Sequence, residues 1–127
     1  MQEMCPCGKQ ISLAKCCGKF LSGHARPRTP EQLMRSRYSA YALGGYGEYL
    51  MKSWHPTMTT DLNAELLSHK SHQWFKLNIL NKFQKGDQGT VEFEAFYHDQ
   101  DGEECSHHET SSFVRILGNW LYVGAVK

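Results

Sequence analysis

Four of the chain's five cysteines fall in one short window near its start: Cys5-Pro6-Cys7-Gly8, then Cys16-Cys17-Gly18. Nothing else in the sequence restricts the backbone so tightly, because a thiol cluster of this density has few chemical outcomes. A tetrahedral zinc site takes four soft or borderline donors, with sulfur at about 2.3 Å from the metal. Cys-x-Cys followed by glycine makes a tight turn that points two sulfurs the same way, and Gly8 clears side-chain bulk from beside them. Adjacent Cys16 and Cys17 can both ligate where the backbone bends sharply, a freedom expected from Gly18. Four thiolates on one zinc ion leave a charge of about −2 by counting, which Lys9, Lys15 and Lys19 are placed to offset. A site closed by Cys5, Cys7, Cys16 and Cys17 keeps no position for water, so it predicts a structural metal rather than a catalytic one. Two disulfides or a thiol redox switch are the competing outcomes. Cys105 is the odd thiol out and reads as a plain sheet residue.

The remaining 110 residues after Cys17 suffice for one domain of ordinary size within the total of 127. The net charge of +1, with 21% charged residues, carries no basic stripe, so neither nucleic acid nor an anionic membrane is expected as a partner. No apolar run approaches the roughly 20 residues that span a bilayer, and the thiol-rich start is not a signal peptide. The expected location is cytoplasmic. A reducing compartment favours metal over disulfides.

Residues 19–28 read as a linker, with Phe20 and Leu21 available to pack the cysteine knuckle onto the body. Thr29-Pro30-Glu31-Gln32 predicts a helix start, with Thr29 as cap, Pro30 in the first turn and Gln32 completing a capping box. Met34, Tyr38, Tyr41 and Ala42 share a face, and Gly44-Gly45 stops the helix. A second helix is predicted over 46–54, ended by His55-Pro56. A third, capped by Thr60 or Asp61, would carry Leu62, Leu66 and Leu67.

The period then changes from helical to alternating. Strands are predicted over 74–84 (Phe75, Leu77 and Ile79 on one face), 91–98, 105–117 and 120–126. Turns fall at 85–89 and 99–102, and Gly118-Asn119 is a two-residue hairpin signal. Helices followed by a meander of strands predict an α+β layer: a curved antiparallel sheet with three helices on one face.

The cysteine spacing resembles the SEC-C motif, the zinc knuckle at the tail of the bacterial preprotein translocase motor. In that protein the knuckle docks on an export chaperone, so the resemblance implies a protein partner. The body resembles the YchJ family of bacterial proteins: Leu33 to Ala42, Tyr49-Leu50, Ser53-Trp54-His55-Pro56, Glu109 to Phe113, and Gly118 to Tyr122 carry the likeness. That family's body is similar to the nuclear-transport-factor-2-like fold, a cone-shaped α+β domain with a cavity between helices and sheet. The resemblance implies two parts, a zinc knuckle over 1–22 and the cone over 23–127.

Within such a cone, Tyr38, Tyr41 and Trp54 would line a pocket, Arg37 would bind an anionic group, and His55 with Glu109 would act as base and orienter. Simpler roles compete. Tyr38 and Tyr41 sit at core spacing, Trp54 suits an anchor, His55 a turn, and Arg37 with Glu109 a buried ion pair. His107 and His108 point to opposite faces of a strand and cannot readily share a metal. His69 and His72 lack a third ligand. No nucleotide-binding, nucleophile-elbow or metalloprotease motif occurs. The expectation is a non-enzymatic protein-interaction module linked to protein export or quality control. The alternative is a small-molecule binder or weak enzyme using the cavity.

Overall fold

The computed structural model describes residues 3–58, 63, 64, 67 and 73–126. The helical part comprises α1 (Gly18–Leu21), α2 (Pro30–Leu43) and α3 (Gly47–Lys52). Four strands follow: β1 (Gln73–Lys85), β2 (Gln88–His98), β3 (Glu104–Ile116) and β4 (Asn119–Ala125). They form one antiparallel sheet in the order β1-β2-β3-β4. The third helix expected from Thr60 or Asp61 onward lies outside the described residues, apart from a bond from the Leu67 N–H to the Asn63 carbonyl at 3.1 Å. His69 and His72 also lie outside them.

Helix α2 starts as its sequence dictates. Thr29 accepts a hydrogen bond from the Gln32 N–H at 3.1 Å, and Pro30 occupies the first turn. Gln32 reaches back one residue beyond the expected capping box, accepting from the Arg28 N–H at 2.7 Å. The helix is buried on several sides, which explains why Ser36, Arg37 and Ser39 are as inaccessible as Leu33 and Tyr38. One side lies on the sheet. Another touches α3, where Ser36 Oγ and the Tyr49 hydroxyl sit 2.6 Å apart.

Helix α3 is shorter than the sequence predicts. It ends at Lys52 because Ser53 to His55 leave it to pair with β4: the Tyr122 N–H donates to the Ser53 carbonyl and the His55 N–H to the Tyr122 carbonyl, each at 2.8 Å. The expected linker also differs. Its first residues form α1, which buries Phe20. Trp120 anchors the loop that follows, its indole N–H donating to the Arg28 carbonyl at 3.2 Å.

The sheet is curved by two irregularities in β1. Trp74 pairs with Tyr97 and Lys76 with Phe96, leaving Phe75 as an extra residue. Ile79 pairs with Phe93 and Asn81 with Glu92, leaving Leu80 extra. Each bulge bends the strand and reverses which parity faces the core. Trp74 therefore points inward in place of Phe75, which is 44% exposed. Beyond the second bulge Lys82 rather than Phe83 pairs with inward-facing Val91, and its ammonium reaches Glu31 on α2 at 2.6 Å.

Two turns also shift. The first loop is only Gly86-Asp87, and Gly89 is a buried residue of β2 packed against Pro30. The last loop is Leu117-Gly118 rather than Gly118-Asn119. Both of its residues have positive φ, 52° and 83°, as a type I′ turn requires.

Candidate functional site

The first candidate is the cysteine cluster. An antiparallel bridge between Met4 and Ser12 closes a small loop that carries Cys5 and Cys7, and a 3-10 turn at Leu13–Lys15 delivers Cys16 and Cys17. The two glycines have different jobs from each other. Gly8 has φ +90° and supplies the left-handed turn after Cys7. Gly18 supplies room: a Cβ there would lie 2.6 Å from the Leu13 carbonyl oxygen. That close approach, rather than the backbone freedom expected, is why glycine follows Cys17.

All four sulfurs lie within 4.8 Å of one another and all four residues are buried. Cys7 and Cys16 Sγ are 3.6 Å apart. Bonds of about 2.3 Å in a tetrahedron give sulfur–sulfur edges of about 3.8 Å, so the spacing fits one thiophilic ion. It does not fit disulfides, whose sulfurs bond at about 2.05 Å, and all five cysteines are free thiols. Hydrogen bonding to Cys5 and Cys7, then burial, pushes the Cys17 thiol up. Burial first, then Cys7, pushes Cys16 up to about 11. Four buried sulfurs cannot all ionise unless a cation takes up the charge, and this donor set can hold one.

The knuckle is not suspended from the body. Its cysteines join the same buried cluster as Leu33, Tyr38, Leu77 and Phe113. Cys5 Sγ meets Ser39 Oγ of α2 at 3.6 Å. Arg35, also on α2, donates to the Cys7 carbonyl at 2.7 Å and to Glu31 at 2.9 Å. The cation beside the cluster is thus Arg35, whereas Lys9, Lys15 and Lys19 stand exposed.

The second candidate is a cavity of about 360 Å³ between α2, the end of α3 and the concave face of the sheet. Arg37, Tyr38, Tyr41, Trp54 and Glu109 all line it, as do Trp74, Tyr97, His107 and Tyr122. The Arg37 guanidinium lies 4.7 Å from the ring centres of both Trp54 and Tyr122. Its Nη1 donates to the Leu50 carbonyl at 2.9 Å and to Ser53 Oγ at 2.6 Å. Burial lowers its pKa, against the pull of nearby Tyr41, Tyr122, Tyr49 and Glu109.

Glu109 does not pair with Arg37. Its Oε2 accepts from Ser111 at 2.6 Å and from the Tyr122 hydroxyl at 2.7 Å, and its Oε1 lies 3.1 Å from His107 Nε2. Burial pushes this carboxyl up, but the three hydrogen bonds outweigh it and hold the pKa below the ordinary value. The Tyr38 hydroxyl, raised to about 12 by burial, and the Trp54 indole N–H are both buried, without a hydrogen-bond partner among the described residues.

His55 stands outside this cavity. It follows the chain out of α3 toward Pro56, and its Nδ1 lies 2.8 Å from Thr57 Oγ1. The histidine beside Glu109 is instead His107, two residues away on the same face of β3. Strand alternation places 107, 109, 111 and 113 together, so this partner was readable from spacing. His108 faces the other way, 2.7 Å from Glu92. Trp74 could not have been found by alternation, because the bulge at Phe75 changes the phase.

Residues 29–125 match the YchJ middle domain, described as nuclear-transport-factor-2-like. The chain is 37% identical to a UPF0225 protein of Serratia proteamaculans, covering 100% of this chain and 85% of the relative. It is 43% identical to a UPF0225 protein of Ralstonia nicotianae, over 94% of this chain and 88% of that one. The solution structure of a SEC-C motif containing protein from Rhodopseudomonas palustris is similar throughout, with TM-score 0.87, 33% identity, and coverage of 98% of this chain and 100% of that one.

Proposed function

This chain belongs to the YchJ-like family, also designated UPF0225, and from that premise we propose that it is a small-molecule-binding protein whose cone cavity is the working site. The observation that carries this reading is an open cavity of about 360 Å³ walled by Arg37, Tyr41, Trp54, Tyr97 and Tyr122. The volume lies within the range of small-ligand pockets. The test compares fragment binding to the native protein and to Ala95→Leu, which fills the cavity from the sheet side. Fragments that stabilise the native protein and not the variant support the reading. A panel without a single binder sinks it.

In this reading the four thiolates hold a structural zinc ion. Their mutual spacing within 4.8 Å and closed donor set support it, and they leave no position for water or substrate. Protein prepared without chelator should contain one zinc per chain.

A second reading is docking of a protein partner, in export or quality control, through the knuckle. What favours it is the exposed apolar pair Met4 and Ile11, 62% and 44% accessible, beside exposed Lys9. Pull-down with a Met4→Ser, Ile11→Ser double variant tests it without disturbing the buried cysteines. If that variant retains the same partners as the native protein, the knuckle serves only as a staple.

A further inference from the structure

Glu109 decides what His107 can do. Both line the cavity. Ser111 and the Tyr122 hydroxyl donate to Glu109 Oε2 at 2.6 and 2.7 Å, and with His107 they hold the carboxyl in its charged form against the pull of burial. A charged carboxylate can only accept hydrogen bonds. The 3.1 Å contact between its Oε1 and His107 Nε2 is therefore a donation from the imidazole N–H. In the neutral ring this leaves the lone pair on Nδ1. That nitrogen has no hydrogen-bond partner among the described residues, and the His107 side chain is 51% exposed, against 16% for Glu109. The wall thus carries an accepting nitrogen, fixed in its tautomer by a carboxylate behind it and accessible from outside the protein.

The charges of the cavity oppose one another. Arg37 and Glu109 both form part of its wall, so an anion would meet the carboxylate and a cation the guanidinium. A neutral ligand meets neither cost. The faces of Trp54 and Tyr122 are taken by Arg37, 4.7 Å from each ring centre. Tyr41, Trp74 and Tyr97 supply further aromatic wall, the last two with ring centres 4.8 Å apart.

We infer that the cavity takes a small neutral phenol, its hydroxyl donating to His107 Nδ1 and its ring laid against Tyr41, Trp74 and Tyr97. This rests on the proposal that the cavity binds a small molecule and adds the chemical class. A phenolic O–H is more acidic than that of an alkyl alcohol and is the stronger donor to a ring nitrogen. A planar body suits the walls, since stacked and edge-on ring contacts add to area burial.

The test is an NMR titration of the whole protein with phenol, anisole and benzoate at about pH 8, where an unperturbed imidazole is neutral. The backbone N–H signal of Ala95, on the cavity wall, reports occupancy. Anisole keeps the ring and the oxygen and lacks only the O–H. Phenol should bind saturably at millimolar concentration and anisole about ten-fold more weakly, the usual worth of one hydrogen bond. His107→Leu changes a half-exposed side chain, and in that variant phenol should bind no better than anisole. A purely structural role for His107 would instead weaken both ligands alike and keep their ratio. That result, or equal binding of phenol and anisole to the native protein, would overturn the assignment to His107 while upholding the cavity as a site. Benzoate binding more tightly than phenol would overturn the neutral class and likewise uphold the cavity. No saturable shift with any of the three would overturn both.

Discussion

Gly18 shows how much one absent methyl group can decide. A Cβ 2.6 Å from the Leu13 carbonyl cannot be accommodated by rotating a side chain, since the obstacle is backbone. Gly18→Ala should cost roughly 1–3 kcal/mol, the usual penalty of overpacking, and should loosen metal retention with it. Melting temperature and metal content after dialysis check both. Leu117 is the opposite case. It is 93% exposed and holds φ at 52°, so it gains little from contacts and pays for its conformation. Leu117→Asn should raise stability by about 1 kcal/mol, read as a higher denaturation midpoint. Glu109 has a consequence for pH. Its folded pKa is held below the ordinary 4.5, so it adds stability above that value and loses it as pH falls through the folded pKa. Glu109→Gln should lower stability at pH 7 by about 2 kcal/mol and flatten the acid limb of the stability curve.

At the scale of elements, the start of α2, the four strands and the clustering of the four thiols were legible because each obeys a local rule: Thr29 before Pro30, alternation along β2 and β3, sulfur density before Gly18. What escaped was whatever depends on a neighbour in space. Alternation with Leu77 points Phe75 inward, yet the bulge hands that place to Trp74, and no local preference marks the change of phase. Nothing local to Arg35 shows that the knuckle rests on it through the Cys7 carbonyl. His55 stood out in sequence by its place before Pro56, and pairing with Tyr122 drew it away from Glu109. The Gly89 position belongs here as well. A Cβ would meet Pro30 Cγ at 2.5 Å, so Gly89→Ala should push α2 off β2 and cost about 1–3 kcal/mol in chemical denaturation.

For the whole molecule, the four cysteines lie inside the main core, so a metal held there would form one cooperative unit with the fold. Chelation should lower a single melting transition of the entire chain rather than melt the knuckle ahead of the body, and circular dichroism followed at two wavelengths would separate the outcomes. Cys5 and Ser39 form one seam and Tyr38 lines the cavity next to it, so one helix serves both sites.

The two bulges of β1 have a further consequence for solubility. Among the described residues β1 is the uncovered border of the sheet, since Trp54 bridges to Tyr122 on the far side. It carries Phe75, Leu80 and Phe83, each more than two-fifths exposed, which on a straight strand would invite another chain to add on. The extra residues fall at two of those three positions. They break the row of outward amide groups into runs too short to template a neighbour, so the irregularity that curves the sheet around its cavity also keeps its border from growing.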